Sequence, residues 1–145
     1  MQENLEFLIS LSATKTLDCL IYINDELYDD LIISEGDEDV IINYDFAENN
    51  TISIEMANKS DRDVVFDDSG NIISDKILNI DRIMVDKIDI TEIVKKESVY
   101  EPYQKWYKEN YPNDPLIYER MHLNWNGVWK FNFNCPIYIW ILERM

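Results

Sequence analysis

The sequence predicts an all-β chain: a single antiparallel β-sandwich, jelly-roll-like, spanning residues 1–145 and interrupted by one short helical excursion. Three observations predict it. Runs rich in Ile, Val, Leu and Phe recur between turn-forming clusters roughly every eight to twelve residues, the spacing of sandwich and barrel strands. Trp129, Phe131 and Phe133 alternate with Lys130, Asn132 and Asn134, which is a strand with one buried face. The stretch 124–145 also holds six of the eighteen aromatics and three of the four tryptophans, so the core is expected to close there.

The elements follow in chain order. Leu5, Phe7, Ile9 and Leu11 give residues 5–12 a firmly apolar face, the first strand. Thr14-Lys15-Thr16 turns into a second strand over residues 17–23. Asn24-Asp25-Glu26 is a hairpin-like turn into a third, residues 27–33. Residues 34–39 form an acidic loop, residues 40–46 a fourth strand, Glu48-Asn49-Asn50 a turn, and residues 51–57 a fifth strand. With three glycines against fourteen asparagines, Asn carries much of the turn chemistry. Residues 77–85 are strand-like, and residues 87–90 continue after Asp86. Pro102 can open a short helix, placing Tyr103, Trp106, Tyr107 and Tyr111 on one face, while Pro112 and Pro115 forbid a long continuation. Asn126-Gly127 is a turn signal because both residues tolerate positive φ. After Pro136, residues 137–142 are apolar throughout, as in a strand covered on both faces.

Composition excludes several classes. A chain of 145 residues can bury a sizeable core, and 46% hydrophobic content argues against disorder. The net charge of −16, from 29 acids against 13 bases, disfavours non-specific contact with nucleic acid or an anionic membrane. The amino-terminal residues lack the positive region of a secretory signal, and no stretch approaches a membrane span. Cys19 and Cys135 could pair only if the fold joins them; without an export signal, two buried thiols are expected. The 21 isoleucines and 14 asparagines use AT-rich codons, which fits an AT-rich genome such as a phage's. The expected location is therefore the virion if the chain is phage-encoded, and otherwise the cytoplasm.

Residues 58–75 are the least regular. They hold Asp61, Asp63, Asp67, Asp68 and Asp75 around Val64-Val65-Phe66. A calcium loop needs oxygen ligands at tight alternating spacing, and Asp67-Asp68-Ser69-Gly70-Asn71 does not meet the EF-hand pattern. Solvated turn residues are expected here, with no bound metal and no cofactor. Catalytic signatures are missing as well. His122, the lone histidine, sits in a strand-like setting without Gly-x-Ser-x-Gly, and zinc clusters, phosphate loops and dinucleotide fingerprints are absent. No enzymatic activity is expected.

Several of these runs carry a resemblance. The Asn-Asp turn of the early hairpin, Ile52-Ser53-Ile54-Glu55-Met56 ending at Asn58, and Asp81-Arg82-Ile83-Met84-Val85-Asp86-Lys87-Ile88 together resemble jelly-roll carbohydrate-binding modules. Calcium-dependent xylan-binding modules share this layout over roughly residues 5–90, and similar sandwiches occur in phage virion proteins. The resemblance implies a β-sandwich with a binding role. The chain departs from it at Asn58-Lys59, where the family tends to carry Asn-Asp, and at Lys87, where it carries Gly. The first departure removes a carboxylate from an inherited calcium site.

Three functions then compete. The first is a structural or decorating protein of a phage-like particle, docking on other protein chains through Tyr103, Trp106, Tyr107 and Tyr111. The second is a carbohydrate-binding module in which those rings stack on sugar faces. The third is an acidic decoy that mimics DNA, which needs carboxylates ranked along one face rather than gathered in turns. Packing of the same aromatic face on the sandwich is the non-functional alternative.

Overall fold

The first strand shows how the sandwich is built. A computed structural model describes residues 2–103, 105–110, 112–113 and 116–145, with the side chains of these apart from Trp106 and Tyr107. In β1 (Glu3–Ala13), Leu5, Phe7, Ile9, Leu11 and Ala13 are buried, and the residues between them face outward. The same alternation repeats in β2 (Leu17–Ile23), β5 (Asn49–Met56) and β13 (Gly127–Asn134). The other strands are β3 (Glu26–Ile33), β4 (Gly36–Phe46), β6 (Val65–Phe66), β7 (Ile72–Ser74), β8 (Leu78–Val85), β9 (Ile88–Asp89), β10 (Val99–Pro102), β11 (Ile117–Tyr118) and β12 (His122–Leu123). Helices α1 (Thr91–Glu97), α2 (Lys105–Asn110) and α3 (Ile137–Leu142) interrupt them.

The strands form two sheets with antiparallel pairing throughout. One runs β12-β8-β1-β4, with β9 hydrogen-bonded to β8; the other runs β11-β10-β13-β5-β2-β3. A separate β6-β7 hairpin stands beside them. Between the sheets lies a cluster of rings. Phe7 meets Phe46 and Phe133 at 5.3 Å between centroids, Phe46 meets Phe133 at 5.1 Å, and Trp140 closes on Phe133 at 6.2 Å. Tilted and edge-on arrangements of this kind suit the ring quadrupoles. Trp129, Phe131 and Phe133 are buried, while Lys130, Asn132 and Asn134 are exposed on the opposite face. Buried Trp129 still satisfies its indole N–H, donating to the Arg120 carbonyl at 2.6 Å.

Several expectations are corrected. Residues 137–142 form a helix, because Ile137, Trp140 and Ile141 share one buried face at helical spacing while Tyr138, Ile139 and Leu142 are exposed. The acidic stretch is largely strand: Asp37, Glu38 and Asp39 pair with Ser12, Leu11 and Ser10, so the backbone ladder continues while the carboxylates stay solvated. Asn49 and Asn50 likewise belong to β5 rather than to a turn. Three short α-helices, not one, lie among the described residues. Gly127 does not have positive φ; its Cα is crowded instead, since an added Cβ would lie 2.4 Å from the Glu101 carbonyl oxygen and 2.8 Å from Pro102 Cα. Among the described residues positive φ falls at Asn24 and Asp25 and at Asp86 and Lys87, the paired turn positions of two hairpins, and also at Gly36, Gly70 and Glu119. Cys19 and Cys135 are both buried free thiols, and burial raises both above the ordinary thiol range. No described helix is long and apolar enough to cross a membrane.

Candidate binding face

The outer face of the six-stranded sheet can be read from its registers. Tyr22 of β2 lies opposite Ser53 of β5, which lies opposite Lys130 of β13, then Val99 of β10 and Tyr118 of β11. One step along, Leu20, Glu55, Val128 and Glu101 form the next row. These are the residues that alternate with the buried Ile21, Ile54 and Trp129, so period two places all of them on the side away from the core.

Tyr103 completes this face. The chain leaves β10 at Pro102, and the Tyr103 backbone N–H donates to the Asn126 carbonyl at 2.8 Å. That bond turns the side chain across the sheet, where its phenol donates to Glu55 Oε2 at 2.5 Å. From the other side, the Tyr22 phenol donates to Glu55 Oε1 at 3.0 Å. The two rings flank one carboxylate, in a shallow depression of about 220 Å³ lined by Tyr22, Asp25, Ser53, Glu55, Tyr103 and Val128. Both phenols are held above the ordinary tyrosine range, first by desolvation and then by the hydrogen bond and charge of Glu55. They therefore remain neutral donors at physiological pH. Tyr103 is still 42% exposed.

The sequence-derived aromatic face is only partly within view. Tyr103 precedes α2 instead of lying on it, because Pro102 is still paired in β10. Trp106 and Tyr107 lie on α2, but their side chains, and Tyr111 as a whole, fall outside the described residues. Tyr100, three residues earlier on β10, is core: it is fully buried, and its hydroxyl donates to the Trp125 carbonyl at 2.6 Å. Tyr22 and Glu55 were missed by sequence reading. Their only signal was outward placement in strands whose register the sequence does not state.

The carboxylates of the aspartate-rich stretch are spread over separate local contacts. Among the described residues, no three His, Cys, Asp or Glu side chains are grouped to hold an ion. Asp63 accepts the Ser60 backbone N–H at 2.8 Å and faces the Lys76 ammonium at 3.4 Å. Asp67 accepts the backbone N–H groups of Ser69 and Asn71, both at 2.9 Å. Asp75 pairs with buried Lys59, whose ammonium also donates to the Asn124 carbonyl at 2.6 Å and lies 5.0 Å from the Trp125 ring centroid. An ammonium thus already occupies the place where oxygens converge. His122 pairs with Asn79 through β12, and burial and then Arg120 lower its pKa.

No family model matches the chain. No curated protein sequence matches it either. Solved structures do. One, a carbohydrate-binding module designated vCBM60 in complex with galactobiose, superposes with a TM-score of 0.55 at 11% identity, covering 88% of this chain and 98% of its own. The fold is similar to that of a carbohydrate-binding module. A selenomethionine form of vCBM60, described as linking two families of calcium-dependent carbohydrate-binding modules by circular permutation, gives 0.56 at 10% identity over 88% of this chain and 89% of its own. The likeness to these modules extends over both sheets of the sandwich, whereas the carboxylate grouping a calcium ion needs is missing among the described residues.

Proposed function

We propose that this protein binds glycans, without catalysis, through the outer face of its six-stranded sheet at Tyr22, Glu55 and Tyr103. The observation that carries the reading is the convergence of two tyrosine phenols on one carboxylate in an open depression. Such a site offers ring faces to the C–H face of a sugar and a charged acceptor to its hydroxyls. A fold similar to that of a module holding galactobiose supports the reading. The test is a glycan array probed with the labelled chain, followed by titration of Tyr22→Ala and Tyr103→Ala. Each variant should weaken binding about tenfold or more, a difference of about 1.4 kcal/mol. Binding that ignores both substitutions, or an array with no glycan bound, would sink the idea.

A second reading is docking on a larger protein assembly such as a phage-like particle. One observation favours it: Phe66, Ile72 and Ile73 of the β6-β7 hairpin are 57, 59 and 64% exposed. Phe66→Ser should then abolish co-sedimentation with the particle while leaving the melting temperature in place. Unchanged co-sedimentation would remove the hairpin from consideration.

A further inference from the structure

We propose that the binding face continues along β5 and β13 into a second, uncharged subsite built by Thr51, Asn132, Asn49 and Asn134, so that the strip takes an extended neutral oligosaccharide. The inference rests on the glycan-binding reading and adds the class and length of the ligand.

The register places the subsite. Outward residues pair as Glu55 with Val128, Ser53 with Lys130, Thr51 with Asn132 and Asn49 with Asn134. The strip from Glu55 to Asn49 spans seven residues, six steps or about 20 Å at a strand rise of roughly 3.3 Å per residue. A disaccharide would cover only part of that length. A second depression, of about 360 Å³, opens at the far end between the Asn49–Thr51 and Asn132–Asn134 segments.

The chemistry along the strip is that of hydroxyl recognition. Thr51 Oγ1 donates to Asn132 Oδ1 at 2.6 Å, and Asn134 Nδ2 donates to Asn49 Oδ1 at 2.6 Å. These bonds fix the side chains in place and leave other groups uncommitted. Among the described hydrogen bonds, none uses Nδ2 of Asn132, Nδ2 of Asn49 or Oδ1 of Asn134. A sugar hydroxyl is both donor and acceptor, and an amide supplies the complement of each. Of the eight outward residues on β5 and β13, only Glu55 and Lys130 carry charge. An anionic glycan would meet Glu55 directly, on a chain of net charge −16. The complementary ligand is therefore uncharged.

The experiment is calorimetric titration of the full chain with neutral galacto-oligosaccharides from disaccharide to hexasaccharide, beside oligogalacturonates of the same lengths. Affinity should climb about tenfold or more from disaccharide to tetrasaccharide, with the oligogalacturonates far weaker. The double variant Asn132→Ala, Asn134→Ala should flatten that climb. Asn132→Asp, which keeps the shape and adds charge, should do the same if the double variant melts early. Disaccharide binding with no gain on lengthening overturns the subsite and leaves the glycan reading standing. Preference for the oligogalacturonates overturns the neutral class. Absence of binding at every length overturns both.

Discussion

Tyr103 and Glu55 lie 48 residues apart in sequence, and the Tyr103 phenol donates to the Glu55 carboxylate at 2.5 Å across the outer face of the sheet. The contact exists because β10 ends beside β13, β13 pairs with β5, and Glu55 is an outward residue of β5. Tyr22 reaches the same carboxylate from β2 on the other side. Three strands from distant parts of the chain therefore present one polar cleft between two rings.

Removing the carboxylate should be visible in the tyrosines themselves. Both phenols are raised by desolvation first and by Glu55 second. In Glu55→Gln, the alkaline titration followed by ultraviolet absorbance should shift toward the ordinary tyrosine value of about 10. In the wild type, the contribution of these raised phenols to stability is full below about pH 10 and declines as the pH rises toward their folded values. A titration curve identical in the two proteins would contradict the geometry.

The core prediction rests on Phe131, which is 1% exposed and touches Phe7, Trp129 and Phe133. Phe131→Ala should cost about 3–5 kcal/mol in chemical denaturation, the usual range for a buried Phe. A midpoint that scarcely moves would place this ring outside the core.

Gly127 gives a second stability test. Its neighbours on β10 leave no room for a methyl group, and two of the three closest atoms are backbone. Gly127→Ala should destabilise by about 1–3 kcal/mol, as overpacking does. If thermal melts of the variant and wild type coincide, β10 does not pass this close to β13.

How much of this was legible in the sequence depends on how local each feature is. The strand at residues 129–134 was legible because its alternation is written in consecutive residues. The run at residues 137–142 was not, since six apolar residues fit a buried strand and a helix equally; the helix wins because only three of them find the core. Lys59 stands in the stretch whose sequence shows no regular pattern, yet it is 5% exposed, because Asp75, Asn124 and Trp125 enclose it from two distant segments. The binding face divides in the same way. Tyr103 stood out by residue type, whereas Tyr22 and Glu55 become partners only through the pairing of β2 with β5.

That enclosure of Lys59 leads to a metal test. The Asn126 side chain also pairs with the Lys59 backbone, accepting its N–H and donating to its carbonyl, both at 2.8 Å. The loop is thus held by an ammonium and an amide. Lys59→Met should lower stability by about 1–3 kcal/mol, because Asp75 and the Asn124 carbonyl lose their donor. Calcium in place of EDTA should leave the wild-type melting temperature unchanged. A rise of several degrees with calcium would mean that the ion binds the folded state after all.

Acid should act through Asp89. Its carboxyl is held below the ordinary range by the Thr91 hydroxyl and then the Thr91 backbone N–H, at 2.6 and 2.9 Å. A depressed folded pKa contributes stability above the unfolded value of about 3.9, and that contribution is lost as the pH falls through the folded value. Asp89→Asn should therefore melt below wild type at neutral pH, with the gap closing as the pH drops under about 4. A gap that is constant from neutral to acid pH would rule out this linkage.

The most direct test of the glycan-binding face is a two-dimensional NMR titration of the isotope-labelled chain with galactobiose and longer neutral galacto-oligosaccharides. Shifts should concentrate at Tyr22, Ser53, Glu55, Tyr103 and Val128, extending to Thr51 and Asn132 with the longer ligands. Shifts confined to residues 58–76, or no shift at saturating sugar, would contradict it.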